Sequence, residues 1–260
     1  MGSIVRWEVQ EEIKKAAETI CQAQKTVALT GAGISVESGI PDFRSAGGLW
    51  ERFDPMEYGT IQAFRANPEK VWTMLHEMSA LIKKAQPNPA HIGLARLQEM
   101  GKLPHIITQN IDNLHQAAGA TGVIEFHGNC ETLVCLSCDE CFGVEEVEDG
   151  ITPRCACGTI LKPNVVFFGE PIPSGTLPET YALVSSCHAL LVVGTSAEVT
   201  PANTIPYTAK MAKAEIIEIN LMPTVLTGTL TDIFLQGKAS EIVTELVQEV
   251  ERMMSQEEVT

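Results

Sequence analysis

The chain contains no apolar run long enough to cross a bilayer; stretches such as Ala189-Leu190-Leu191-Val192-Val193 fall far short of the ~20 residues a helical span needs. Positive charge is scarce too. Eighteen Lys plus Arg stand against 33 Asp plus Glu, a net charge of −15 that argues against a nucleic-acid surface and suits cationic partners. Solubility alone is the plainer reading of that charge. Near the start, Glu8, Glu11 and Glu12 stand where a secretory signal would be apolar, so the expected location is cytoplasmic, with no membrane partner and no direct nucleic-acid partner. Internal repeats and low-complexity stretches are also missing. What remains is 260 residues with 45% hydrophobic content, enough to bury the core of one large domain or of a domain with insertions.

Apolar residues Ile13, Ala16, Ala17, Ile20 and Cys21 recur at helical spacing before a strand at Thr26 to Leu29. Further strands are expected at His105 to Thr108, Val123 to Phe126, Ala189 to Val193 and Glu215 to Ile219, most of them continuous apolar runs suited to burial on both faces. Helical segments lie between several of these, as at Ala90 to Met100 with Gly101 as cap, and Ile242, Leu246 and Val250 form a late helical stripe. The pattern predicts an α/β fold with a doubly wound parallel sheet. Two segments break the alternation, 46–86 and 130–162, and are expected to form a smaller second lobe. The sheet domain would then comprise 1–45, 87–129 and 163–260.

Thr30 to Ser45 follows the first strand as Thr-Gly-Ala-Gly-Ile-Ser-Val-Glu-Ser-Gly-Ile-Pro-Asp-Phe-Arg-Ser. A glycine turn at a strand end is the usual place to cradle a pyrophosphate on backbone N–H groups. Yet Val36 stands where the G-x-G-x-x-G fingerprint has its third glycine, and no second strand ending in an acid follows about 20 residues on. A dinucleotide site is expected here; an ordinary dehydrogenase is not.

Eight cysteines, four of them in the pairs Cys135/Cys138 and Cys155/Cys157, predict a tetrahedral four-thiolate Zn²⁺ site, closed and therefore structural. Cys141 lies close enough in sequence to compete. Thr108 to His115 places Gln109, Asn110, Ile111 and Asp112 at a strand end, where ligands bind in open α/β sheets, although Asp112 and its neighbours read equally as a cap for the next helix. His127, before Gly128 at another strand end, is a plausible general base, while a lone His is more often a satisfied loop residue. Gly194-Thr195-Ser196 and Asn220 supply two more small or polar strand ends. Together these ends describe a dinucleotide crevice.

At this point the motifs match a family. Gly31 to Ser35, Gly39 to Arg44, Thr108 to Asp112, His127-Gly128, the paired cysteines, Phe168-Gly169-Glu170 and Gly194 to Ser196 occur in sirtuin order, and the chain resembles a prokaryotic-type sirtuin core from Gly31 to about Ala239. The resemblance implies a Rossmann-like NAD-binding domain with a zinc lobe, and an NAD-dependent protein-lysine deacylase. It implies that Gly31, Ala32, Gly33 and Ile34 lie near the pyrophosphate, with Asp42, Phe43 and Arg44 over the nicotinamide ribose. Gln109, Asn110, Ile111 and Asp112 would line the nicotinamide pocket, and Gly194, Thr195, Ser196, Asn220, Leu221 and Ala239 the rest of the cofactor site. Asn110 and Asp112 would join His127 in catalysis, with His127 as base on a ribose hydroxyl. An acyl-lysine peptide segment would lie extended between Val165, Val166, Phe167, Phe168, Gly169 and Ala197, Glu198, Val199. Products would be free lysine, nicotinamide and O-acyl-ADP-ribose.

Sirtuins that remove acidic acyl groups carry a Tyr-x-x-Arg pair after the stretch matched by Asn67-Pro68 and Val71-Trp72; here those positions are Leu75 and Met78. Neutral acyl groups are therefore expected, acetyl first. The competing expectations are a protein mono-ADP-ribosyltransferase and, from another class, a non-enzymatic zinc-ribbon adaptor. The adaptor leaves Asn110, Asp112 and His127 unexplained.

Overall fold

The computed structural model describes residues 2–146 and 150–257. The strands are β1 Thr26–Thr30, β2 His105–Thr108, β3 Val123–Glu125, β4 Gly128–Val134, β5 Cys141–Gly143, β6 Lys162–Val165, β7 Ala189–Val193, β8 Glu215–Asn220 and β9 Ile233–Gln236. The helices are α1 Gly2–Gln22, α2 Leu49–Arg52, α3 Pro55–Tyr58, α4 Ile61–Ala66, α5 Pro68–Ile82, α6 Pro89–Glu99, α7 Leu114–Ala117, α8 Thr176–Val184, α9 Thr204–Met211 and α10 Ala239–Glu257. Among the described residues no helix is long and apolar enough to cross a membrane.

Six strands form a parallel sheet in the order β3-β2-β1-β7-β8-β9. Alternate residues explain its two faces. Ala28, Leu191, Val193 and Ile217 pack with α1, α6 and α10 on one side, while Val27, Leu29, Leu190 and Val192 pack with α8 and α9 on the other. Every residue of β1 and β7 is buried, which is why these strands read as unbroken apolar runs rather than alternating ones. The strand order reverses between β1 and β7, and it is there that an open α/β sheet forms its crevice.

The smaller lobe has its own core. Leu49, Phe64, Trp72 and Leu75 from the first broken segment pack against Leu133, Ile160 and Leu161 from the second and against Phe167 just beyond it, and the Trp72 indole donates to the Leu161 carbonyl at 2.9 Å. A three-stranded antiparallel sheet, β5-β4-β6, supports it and reaches beyond 130–162 on both sides. Its strands carry few consecutive apolar residues, so no strand was expected within 130–162. β9 was also missed, because Ile233-Phe234-Leu235 is too short an apolar run to separate from a loop.

Candidate active site

A cavity of about 440 Å³ opens at the carboxyl edge of the large sheet, between it and the smaller lobe. Its floor is the β1/β7 switch point. There the Gly31 N–H donates to the Val193 carbonyl at 3.1 Å, the Gly33 N–H to the Gly194 carbonyl at 2.8 Å and the Ile34 N–H to the Gly31 carbonyl at 3.1 Å. Those amides are engaged within the protein, so the glycines here provide close approach of two backbones rather than free donors. A Cβ on Gly33 would lie 2.8 Å from Gly194 Cα, and one on Gly194, where φ is +61°, would lie 2.4 Å from Ile34 N. Residues Ala32–Ser38 then form a 3-10 helix in place of the α-helix of a standard fingerprint. Val36 is half-exposed there. The tight helix–strand contact that calls for a third glycine is not made at this position.

A buried polar network lies behind the floor. Ser35 Oγ donates to Asp112 Oδ2 at 2.6 Å and accepts from Asn110 Nδ2 at 3.0 Å. The Asn88 N–H donates to His91 Nδ1 at 3.3 Å, which leaves His91 Nε2 as the N–H that faces Ser35 Oγ at 3.4 Å. Asn88 also donates to the Ile34 carbonyl at 2.7 Å, and its side chain accepts from the Ala90 N–H at 2.9 Å, so α6 and the 3-10 segment are tied at one residue. His115 Nε2 lies 2.9 Å from Thr30 Oγ1. Burial holds both imidazoles neutral: His91 is lowered to about 4 despite the nearby Asp112 carboxylate, and His115 to about 3, with His91 adding to the effect. Asp112 Oδ1 also accepts from the Leu114 N–H at 3.0 Å, so Asp112 caps α7 as well as facing the cavity.

Half-buried His127 lies at the end of β3. Its Nδ1 is 3.1 Å from the Gln109 carbonyl, an atom that only accepts, so Nδ1 carries the proton and Nε2 is left as a base. Burial lowers the His127 pKa from its ordinary value, and the Gln109 bond opposes that only in part. Gln109 Nε2 reaches Thr195 Oγ1 at 3.0 Å, and Asn220 Nδ2 donates to the Thr195 carbonyl at 2.9 Å, joining the ends of β2, β7 and β8.

Of the residues expected at the site, the cavity is lined by Gly31, Ala32, Gly33, Asp42, Phe43, Arg44, Gln109, Asn110, Ile111, Asp112, His127, Gly194, Thr195, Ser196 and Asn220, and by Val165 through Gly169 with Val199. Five others lie outside that lining. Ile34 and Ala239, the first residue of α10, are buried in the core, Ala197 is buried in the loop after β7, Leu221 is exposed, and Glu198 pairs with Arg44 at 3.8 Å. In the sequence His91 and Lys162 carry no role, and Ser35, His115 and Glu170 none beyond a place in a motif. Only tertiary contact gives them one. Asn88 before a helix was the sole local signal for His91.

The four cysteines Cys135, Cys138, Cys155 and Cys157 bring their Sγ atoms within 4.8 Å of one another, with Cys135–Cys157 and Cys138–Cys155 at 3.5 Å. Tetrahedral Zn–S bonds of about 2.3 Å set S···S near ~3.8 Å, so the donor set fits zinc. Cys141 is exposed, turns toward the Asp139 carbonyl and stays out of the cluster.

The fold and site define a Rossmann-type dinucleotide-binding protein with a four-cysteine zinc lobe and a polar floor beneath one cleft. Residues 31–201 match the Sir2 family model. An NAD-dependent protein deacylase 2 of Archaeoglobus fulgidus is 44% identical over 254 residues, covering 95% of this chain and all of the relative. A Sir2 homologue solved in complex with NAD superposes with a TM-score of 0.86 at 43% identity, over 92% of this chain and 94% of that one. The structure of Sir2Af2 bound to a myristoylated histone peptide gives a TM-score of 0.81 at 40% identity, over 95% and 99%. The chain belongs to the Sir2 family.

Proposed function

We propose that this protein is an NAD-dependent protein-lysine deacylase whose substrates are acyl-lysine segments of proteins and whose preferred acyl groups are neutral. The observation that carries the reading is one cleft holding His127, protonated on Nδ1, beside the Ser35–Asn110–Asp112 network at the β1/β7 switch point. NAD supplies a cleavable bond between nicotinamide and ribose. The protein supplies the rest. Gly31, Ala32 and Gly33 would hold the pyrophosphate at the floor of the cavity, and Asp42, Phe43 and Arg44 would cover the ribose. Asp42 accepts from the N–H groups of Arg44 and Ser45, at 3.0 and 2.7 Å, and so shapes that cover itself. Gln109, Asn110 and Asp112 receive the nicotinamide, and Phe43 and Ile111 keep water from the reacting carbon. Nε2 of His127, the unprotonated nitrogen, would serve as the base for a ribose hydroxyl.

The acyl chain runs toward α5, where Met74, Leu75, Met78 and Leu81 line the cavity. Among the described residues lining it, Arg44 is the only Arg or Lys, and it already faces Glu198. An acidic acyl tail therefore finds no cation there. A panel of acetyl-, longer-chain acyl- and succinyl-lysine peptides with NAD, scored by nicotinamide release and peptide mass, checks this. Acetyl or longer neutral chains should turn over faster than succinyl; the reverse order would refute the acyl assignment. A reducing cytoplasmic compartment is the reading that four cysteines gathered as a metal donor set support.

A further inference from the structure

Val165 to Glu170 forms one wall of the cavity, and its shape is held from beneath by a buried cation. Lys162 is 3% exposed. Its Nζ donates to the carbonyls of Pro163 and Val165 at 3.0 and 2.7 Å, pairs with Glu170 Oε2 at 3.0 Å and lies 4.7 Å from the centre of the Phe167 ring. Glu170 Oε2 also accepts from the Phe167 N–H at 2.9 Å, so the turn from 162 to 170 folds around a single ammonium. Three N–H donors meet three oxygens.

The same wall is bonded outward. Val166 N–H donates to the His127 carbonyl at 2.9 Å, Phe168 N–H to the Gly59 carbonyl at 2.9 Å, and the Phe168 carbonyl accepts from Ile61 N–H at 3.0 Å. Burying an ammonium carries a desolvation penalty, and apolar replacement of a buried ion pair is often neutral or stabilising. Stability alone does not account for a lysine here. We propose that Lys162 is a positioning residue for deacylation: it holds Val165 to Gly169 in the form that receives the acyl-lysine peptide and keeps that edge in register with His127. The proposal rests on the reading of this segment as the peptide-binding edge.

The test compares zinc-replete parent protein with Lys162→Met, with Lys162→Met/Glu170→Gln, which leaves no uncompensated buried charge, and with Lys162→Arg, which keeps a cation. KM and kcat for an acetyl-lysine peptide are measured at saturating NAD, and NAD affinity by calorimetry. Both Met variants should raise the peptide KM tenfold or more with the NAD Kd within twofold of the parent, and Lys162→Arg should recover part of the loss. An unchanged peptide KM in the folded double variant, or equal losses of peptide and NAD binding, overturns the proposal. If instead the underlying reading fails, the parent protein itself releases no nicotinamide in response to the peptide.

Discussion

His127 combines a fixed tautomer with a half-buried ring, and both bear on its use as a base. Burial disfavours the imidazolium, so the neutral form persists to lower pH than an unperturbed histidine with a pKa near ~6.5 allows. Activity that needs the neutral ring is present above the His127 pKa and lost as pH falls through it. The acid limb of kcat/KM should therefore lie below pH ~6.5, and replacing His127 by Tyr should abolish turnover while largely sparing NAD binding. An acid limb above that value would count against His127 as the base. Gly194 is a second residue with a sharp requirement. Its φ of +61° and the 2.4 Å between a built Cβ and Ile34 N leave no room for a side chain. Gly194→Ala should part the β1 and β7 loops, weaken NAD binding at least tenfold by calorimetry and lower the Tm; unaltered NAD affinity would show that the loops have slack.

At the level of elements, the two segments that interrupt the sheet pattern work as one unit. α5 is attached to the zinc-binding segment through the Trp72–Leu161 bond and a shared core that includes Cys135 and Cys155 themselves. Zinc held by the four cysteines would therefore stabilise the helix that carries Met74, Leu75 and Met78 to the cavity. Chelation, or Cys135→Ala, should expose Trp72, shift tryptophan emission to the red and abolish peptide turnover. A chelated protein that kept its tryptophan spectrum and its peptide KM would show that the lobe folds without metal. The 3-10 segment Ala32–Ser38 is coupled in a similar way: Asn88 ties it to α6, and the Glu37 carboxylate accepts from the Ser240 N–H at the start of α10 at 3.0 Å. A cofactor loop that looks local in sequence is thus anchored at two distant helices.

On the scale of the molecule, a charge of −15 surrounds a cleft proposed to take lysine-bearing peptides. Acyl-lysine peptides flanked by Lys or Arg should show a KM that rises with ionic strength, because screening removes the long-range attraction, whereas neutral peptides should respond little. Equal salt responses would leave the charge as a matter of solubility. What the sequence by itself determined was all of the parallel sheet but β9, the strand ends that face the cleft and the four cysteines that gather as a zinc donor set. Those features are written in short-range patterns: buried strands as apolar runs, turns as glycines and small polar residues, thiolate pairs as close spacing. What only the tertiary structure decided was the joining of segments 46–86 and 130–162 in one core, the Ser35–Asp112 bond across 77 residues, the roles of His91 and Lys162, and the withdrawal of Ile34 and Ala239 into the interior. The physical reason is that a buried polar group is specified by its partner: Ser35 and Asp112 lie on elements that chain order does not make neighbours, while Lys162 and Glu170 are close in sequence and meet only through the fold of the turn between them.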